Sequence, residues 1–128
     1  MKKKCKIFII EPERIIGLEL QLQLEKNGYS VFQSHSLVDI ETFEDCFAAN
    51  LIIVDTDKEW AYNQEQIKKI LDRTNLSVIC ISTDQQKIKE KEYNGLNIIG
   101  AFLKPFDSKE IVTLVDNHCS LVQNLPFV

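Results

Sequence analysis

The sequence predicts an α/β fold, a doubly wound sandwich in which five strands alternate with five helices, and three observations carry that reading. Short apolar runs rich in β-branched residues recur along the chain: Ile7-Phe8-Ile9-Ile10, Leu51-Ile52-Ile53-Val54, Val78-Ile79-Cys80-Ile81 and the run from Ile98 to Leu103. Such runs read as strands buried on both faces, the pattern of a parallel sheet. Segments with helical spacing of apolar residues lie between them. Each run also ends in a polar residue: Glu11, Asp55, Ser82 and Lys104-Pro105. In an open α/β sheet the ligand crevice lies outside the carboxyl ends of the strands. Two carboxylates, a hydroxyl and an ammonium are therefore expected to converge on one edge, and that combination suits phosphate chemistry on an aspartate.

The elements follow in order. The first strand spans about Cys5 to Ile10. Within the next segment Leu18, Leu20, Leu22 and Leu24 alternate with polar residues, which is strand periodicity. Yet Leu18 to Lys26 contains only strong helix formers and nothing β-branched. Gly28 stands where a helix C′ glycine belongs. Arg14 to Asn27 is therefore read as a helix, with Ile15, Leu18 and Leu22 on one face and Ile16, Leu20 and Leu24 on the adjoining one. Tyr29 to Gln33 is a short second strand. Ser34 or Ser36 caps a helix to about Ala48, with Ile40, Phe43 and Phe47 inward. The third strand is Leu51 to Val54, and a loop from Thr56 to Tyr62 leads to a helix over Asn63 to Asp72. The fourth strand covers Ser77 to Ile81, and a polar helix follows from about Gln85 to Tyr93. The fifth strand is Ile98 to Leu103. Asp107 or Ser108 then caps a last helix with Ile111, Leu114, Val115 and Leu121 inward.

The 128 residues form one domain, residues 1–121, with 122–128 as a tail or the start of a linker. An apolar fraction of 45% with 27% charged residues is that of a globular protein. A net charge of −4 argues against nucleic-acid binding, which favours a basic stripe. No stretch is long enough to cross a bilayer, and the run after Lys2-Lys3-Lys4 is too short for a signal peptide. Cys5, Cys46, Cys80 and Cys119 are scattered without a CxxC pair, so they read as buried free thiols in a reducing cytoplasm. His35 and His118 fall at no strand end near the site and read as solvated or structural.

Taken together, Glu11 after the first strand, Asp55 after the third, Ser82 after the fourth and Lys104-Pro105-Phe106 after the fifth resemble the receiver domain of two-component response regulators, in type, order and spacing. The resemblance covers essentially the whole chain. It implies a flavodoxin-like sheet of order 2-1-3-4-5 and a phosphorelay switch. Asp55 would accept a phosphoryl group from a histidine kinase or phosphotransfer protein and switch the binding of an output domain or partner protein. Lys104 would pair with the phosphoryl oxygens, Ser82 would donate a hydrogen bond to them, and the Lys104-Pro105 peptide would be cis. Mg2+ would be held by Glu11 and Asp55. Asp57 stands where the family uses only a backbone carbonyl oxygen, and its carboxylate is read here as a further ligand that replaces lost charge. Such a domain is no enzyme beyond self-phosphorylation from a phosphodonor and autodephosphorylation. It needs no membrane, and dimerisation through the last helices is common in the family.

The sequence departs from the family pattern at three places. The second acid after the first strand, usually a direct Mg2+ ligand, is replaced by Pro12, which offers neither carboxylate nor N–H. The loop Thr56-Asp57-Lys58-Glu59-Trp60 lacks the usual proline and glycine, and Trp60 reads either as a partner contact or as packing on the sheet edge. Ala101 stands where an aromatic residue often couples the hydroxyl to the output face, and alternation sends Phe102 to the opposite face. An alternative reading follows from Pro12 and Ala101: a degenerate receiver acting as a protein-interaction module independent of phosphorylation. A flavin or phosphate-ligand enzyme fits less well, because the turn Glu11-Pro12-Glu13-Arg14 has no glycine and carries acid where anions would sit.

Overall fold

The computed structural model of the chain describes residues 5–35, 49–57, 76–85 and 97–123. The helices expected over 36–48, 63–72 and beyond Gln85, along with Cys46 and Trp60, lie outside these residues. The described elements are β1 (Lys6–Ile10), α1 (Arg14–Lys26), β2 (Ser30–Ser34), β3 (Leu51–Asp55), β4 (Ser77–Ser82), β5 (Asn97–Leu103) and α2 (Ser108–Gln123). All strand pairs are parallel, and the sheet order is β2-β1-β3-β4-β5, as the resemblance implies. Among the described residues no helix is long and apolar enough to cross a membrane.

Why the central runs carry apolar residues at every position is plain from their burial. In β1, Ile7 and Ile9 pack toward α1 and α2 with Leu20, Leu24, Ile111 and Val115, whereas Phe8 and Ile10 pack on the opposite face. The same alternation places Leu51 and Ile53 with the first set and Ile52 and Val54 with the second. A strand covered on both sides has no solvated face to mark with polar residues. In β5 the alternation slips. A register shift against β4 occurs at Val78/Ile79, so Ile98 and Ala101 face one side while Ile99 and Phe102 face the other. A bulge of this kind sets two residues against one. Ile99 is the extra residue, since Val78 pairs with Ile98 and Ile79 with Gly100, and the Leu114 side chain of α2 occupies the space a Cβ of Gly100 would take.

The helix reading of α1 holds, despite its alternating leucines. Gly17, Leu20 and Leu24 are buried, and Ile15, Leu18 and Leu22 form an exposed stripe. Its end is a Schellman motif: Gly28 N–H donates to the Glu25 carbonyl at 2.9 Å and Tyr29 N–H to the Leu24 carbonyl at 3.2 Å. Gly28 carries the positive φ, 91°, that this motif requires. At the start of α2 the Asp107 carboxylate accepts the Lys109 N–H at 3.0 Å, as a cap should.

The cysteine reading needs correction. Cys80 is a buried free thiol, its acidity suppressed by burial to about 12. Cys5 and Cys119, however, are paired in a disulfide with Cα atoms 6.1 Å apart. The parallel sheet brings the residue before β1 under the last turns of α2, a proximity between residues 114 positions apart that spacing could not show.

Gly28→Ala is expected to lower stability by about 1–2 kcal/mol, the cost of a Cβ in the left-handed region. Urea unfolding checks this, and an unchanged midpoint with an unchanged slope would contradict the assigned turn.

Candidate functional site

The parallel register carries the strand ends to one edge. Asp55 pairs with Ile81 and Ser82 with Leu103. The ladder continues one residue beyond the strands: Glu11 N–H donates to the Ser34 carbonyl at 3.0 Å, Thr56 N–H to Ile81 at 2.8 Å and Lys104 N–H to Ser82 at 2.8 Å. Backbone hydrogen bonds thus fix Glu11 and Lys104 at the rim where Asp55 and Ser82 end. The Lys104-Pro105 peptide is cis, as the resemblance implies. Together with Pro12, Glu13, Asp57 and Thr83, three of these residues, Glu11, Asp55 and Lys104, line a cleft of about 220 Å3.

Two hydrogen-bonded groups make up the site. In the first, Lys104 Nζ lies 2.6 Å from Asp55 Oδ2 and 3.0 and 3.1 Å from Glu11 Oε1 and Oε2. Glu11 is wholly buried and Asp55 nearly so. Glu11 Oε2 also accepts the Glu13 N–H at 3.0 Å, bridging Pro12, which has no N–H to give. Burial raises the Glu11 carboxyl above the usual carboxylate range, against the opposing pull of the Glu13 N–H and Lys104. For Lys104, burial disfavours the charge, but hydrogen bonds to Asp55 and Glu11 outweigh it and the ammonium is held above its ordinary value.

The second group centres on Asp57. Its Oδ1 accepts the Ser82 hydroxyl at 2.5 Å, and its Oδ2 accepts the Thr83 N–H at 2.9 Å and the Thr83 hydroxyl at 2.7 Å. The Asp57 N–H donates to Asp55 Oδ1 at 2.8 Å and ties the two groups together. Ser82 Oγ in turn accepts the Asp84 N–H at 2.9 Å, so the serine also caps the following turn.

The carboxylates named as metal ligands are therefore divided. Glu11 and Asp55 share Lys104, whereas Asp57 faces Ser82 and Thr83. Among the described residues no set of three or more His, Cys, Asp or Glu side chains is placed to hold a metal ion. The two remaining carboxylates still fit Mg2+, which is commonly held by one or two carboxylates plus phosphate oxygens and water. Glu11 Oε1 is buried, with the Lys104 ammonium 3.0 Å away as its ion-pair partner and no further hydrogen bond, so it keeps lone-pair capacity toward a cation.

Two residues were misjudged or missed from sequence. His35 is close to the site after all, its Nδ1 3.1 Å from the Glu11 carbonyl oxygen, because β2 ends alongside β1. Thr83 is not among the residues the strand-end pattern singles out, yet its N–H and hydroxyl both serve Asp57. The adjacency of Ser82 and Thr83 at a strand end was the available signal. His118 lies away from this edge, its Nε2 2.9 Å from the hydroxyl of Ser77 at the start of β4.

No protein-family model matches the chain. It is 26% identical over 116 residues to "Probable transcriptional regulator ycf29" of Guillardia theta, covering 91% of this chain and 53% of that protein. The chain thus spans about half the length of the curated relative it matches. Among solved structures it is similar to a response regulator receiver domain protein of Clostridium thermocellum, with a TM-score of 0.75, 19% identity and coverage of 93% of this chain and 97% of that one. A response regulator of Thermotoga maritima gives a TM-score of 0.74 at 22% identity, covering 92% and 99%. A Burkholderia pseudomallei response regulator solved with a phosphorylated aspartic acid, calcium ion and citrate gives 0.69 at 18% identity, covering 93% and 71%. The chain has the fold of response regulator receiver domains.

Lys104→Met leaves two buried carboxylates without their shared cation and should cost about 3 kcal/mol in urea unfolding. Because the lysine's folded value is raised above 10.5, its contribution is complete below pH 10.5 and lost as pH rises through that folded value. Wild type should show this alkaline loss and Lys104→Met should lack it. Equal alkaline profiles would refute the assignment.

Proposed function

We propose that the chain is a phosphorelay receiver in which Asp55 accepts a phosphoryl group and thereby switches a partner's binding. One observation carries this reading: a nearly buried aspartate at the end of the third strand, with Lys104 Nζ 2.6 Å from its Oδ2, opens on a cleft shared with Glu11. The phosphorylated aspartate of the Burkholderia pseudomallei response regulator, a protein of the same fold, is consistent with it.

In the reaction, an Asp55 carboxylate oxygen forms the new O–P bond as the bond from phosphorus to the donor breaks, and the donor's leaving group takes the electron pair. Both Asp55 oxygens are held beforehand, Oδ2 by Lys104 and Oδ1 by the Asp57 N–H at 2.8 Å. Orientation of this kind removes much of the entropic part of the barrier. The Lys104 ammonium stands where charge accumulates on the phosphoryl oxygens. Mg2+, held by Glu11 and Asp55, supplies the remaining charge neutralisation when bound. The donor is a histidine kinase or phosphotransfer protein, and the reader is an output domain or protein. Beyond self-phosphorylation and autodephosphorylation the chain catalyses nothing in this reading. It works without contacting nucleic acid itself, as monomer or homodimer. Its place in the cytoplasm follows from the phosphorelay reading alone, since the Cys5–Cys119 disulfide removes the free-thiol argument for a reducing compartment.

A second reading, a phosphorylation-independent interaction module, is favoured by Pro12 and by Ala101. The latter packs on the face opposite α1 and α2, while Phe102 packs toward them. No aromatic ring then stands at position 101 to follow the Ser82 hydroxyl.

Intact mass after incubation with acetyl phosphate separates the two. A single phosphoryl adduct is expected in wild type with Mg2+, absent in Asp55→Asn and retained in Asp57→Asn. No adduct in wild type with any phosphodonor would give the second reading the lead.

A further inference from the structure

The Asp57 carboxylate accepts hydrogen bonds from the Ser82 hydroxyl, the Thr83 N–H and the Thr83 hydroxyl, at 2.5, 2.9 and 2.7 Å. These donors sit at the end of β4, directly beside the end of β3, where Asp55 pairs with Ile81. A phosphoryl group on Asp55 would seek the same Ser82 hydroxyl. A carboxylate and a phosphoryl group present similar oxygens to such donors, and one hydroxyl proton serves one strong acceptor at a time. The Asp57 position is also well defined, because its own N–H is anchored on Asp55 Oδ1 at 2.8 Å.

We propose that Asp57 is an internal anionic occupant of the Ser82–Thr83 donor set, which a phosphoryl group on Asp55 must displace before it can reach Ser82. The competition rests on the phosphoacceptor reading of Asp55; the occupancy itself does not. Two effects oppose phosphorylation. The hydroxyl is already engaged, and Asp57 adds negative charge beside an incoming dianion. Displacement moves Asp57 off Thr83 as well, so the signal reaches the backbone of the turn after β4 through the Thr83 N–H. That route requires no aromatic residue at Ala101. It also gives Asp57 a role distinct from the metal ligand expected from sequence, since a ligand would aid phosphoryl uptake and an occupant would retard it.

The test uses wild type, the near-isosteric Asp57→Asn and Asp57→Ala, each first shown to be folded by circular dichroism. In unphosphorylated, metal-free protein, exchange of the Thr83 amide hydrogen followed by NMR should quicken about tenfold in Asp57→Ala, the loss of one charge-assisted hydrogen bond. Unchanged exchange in both variants would overturn the occupancy. With acetyl phosphate and Mg2+, intact mass should show phosphoryl uptake about tenfold faster in Asp57→Asn than in wild type. Equal or slower uptake would overturn the competition and favour a ligand role. No uptake by any of the three proteins would overturn the phosphoacceptor reading and the competition with it, while quickened Thr83 exchange would still place Asp57 on these donors.

Discussion

The cleft exists because four strands run parallel and stay in register to their carboxyl ends. Backbone hydrogen bonds from Glu11, Thr56 and Lys104 extend the ladder one residue past the strands, so these positions are set by the main chain. In a parallel sheet every strand end of one sense faces the same edge, and polar side chains placed there must meet. The apolar runs are the other half of that arrangement. Their burial on both faces makes each strand's path through the core unique, since a slip of one residue would exchange the two packed faces. Among the described strands the pattern shifts at the β5 bulge, at Ile99, and Leu114 of α2 occupies the space a side chain at Gly100 would need.

At the rim the protein keeps an arrangement that costs desolvation. Glu11 is wholly buried, Asp55 nearly so, and one ammonium serves both. Coulomb attraction and hydrogen bonds offset the loss of water only while all three groups stay in place. The opposite directions of burial and pairing on Lys104, with pairing prevailing, express that balance. The Asp57 group is of a different kind. It uses neutral donors at a partly exposed turn, and so can rearrange at lower cost than the Lys104 cluster. The Asp57 N–H, donating to the Asp55 carboxylate, links the two groups. A change of charge at Asp55 would act directly on Lys104 and, through the Asp57 N–H, on the group that holds Ser82 and Thr83.

The fold was legible because its main signals are local. β-branched runs, the glycine at the end of α1 and the polar residue closing each strand are all read within a few positions. Even the alternating leucines of α1 yielded to propensity, since the segment from Leu18 to Lys26 has no β-branched residue. Which face of α1 is buried was not legible: both faces carry leucine and isoleucine, and only packing against Ile7 and Ile9 selects Leu20 and Leu24. The cysteines failed for a related reason. Pairing of Cys5 with Cys119 depends on the strand order that brings α2 beneath the start of β1.

For the site, sequence by itself determined the cast, Glu11, Asp55, Asp57, Ser82 and Lys104, and the edge on which they stand, because strand ends and side-chain types are properties of short segments. Tertiary structure alone decided the partnerships. Lys104 could have served either acid and serves both. Asp57, two residues beyond Asp55, could have turned toward Glu11 but turns toward Ser82 and Thr83, because the ends of β3 and β4 lie side by side and the β4 turn presents donors there. His35 joins the site from β2 for the same geometric reason, as its strand ends beside β1. Hydrogen bonds are directional and short, and whether two groups within a few ångströms are partners is settled by the packing that aims them.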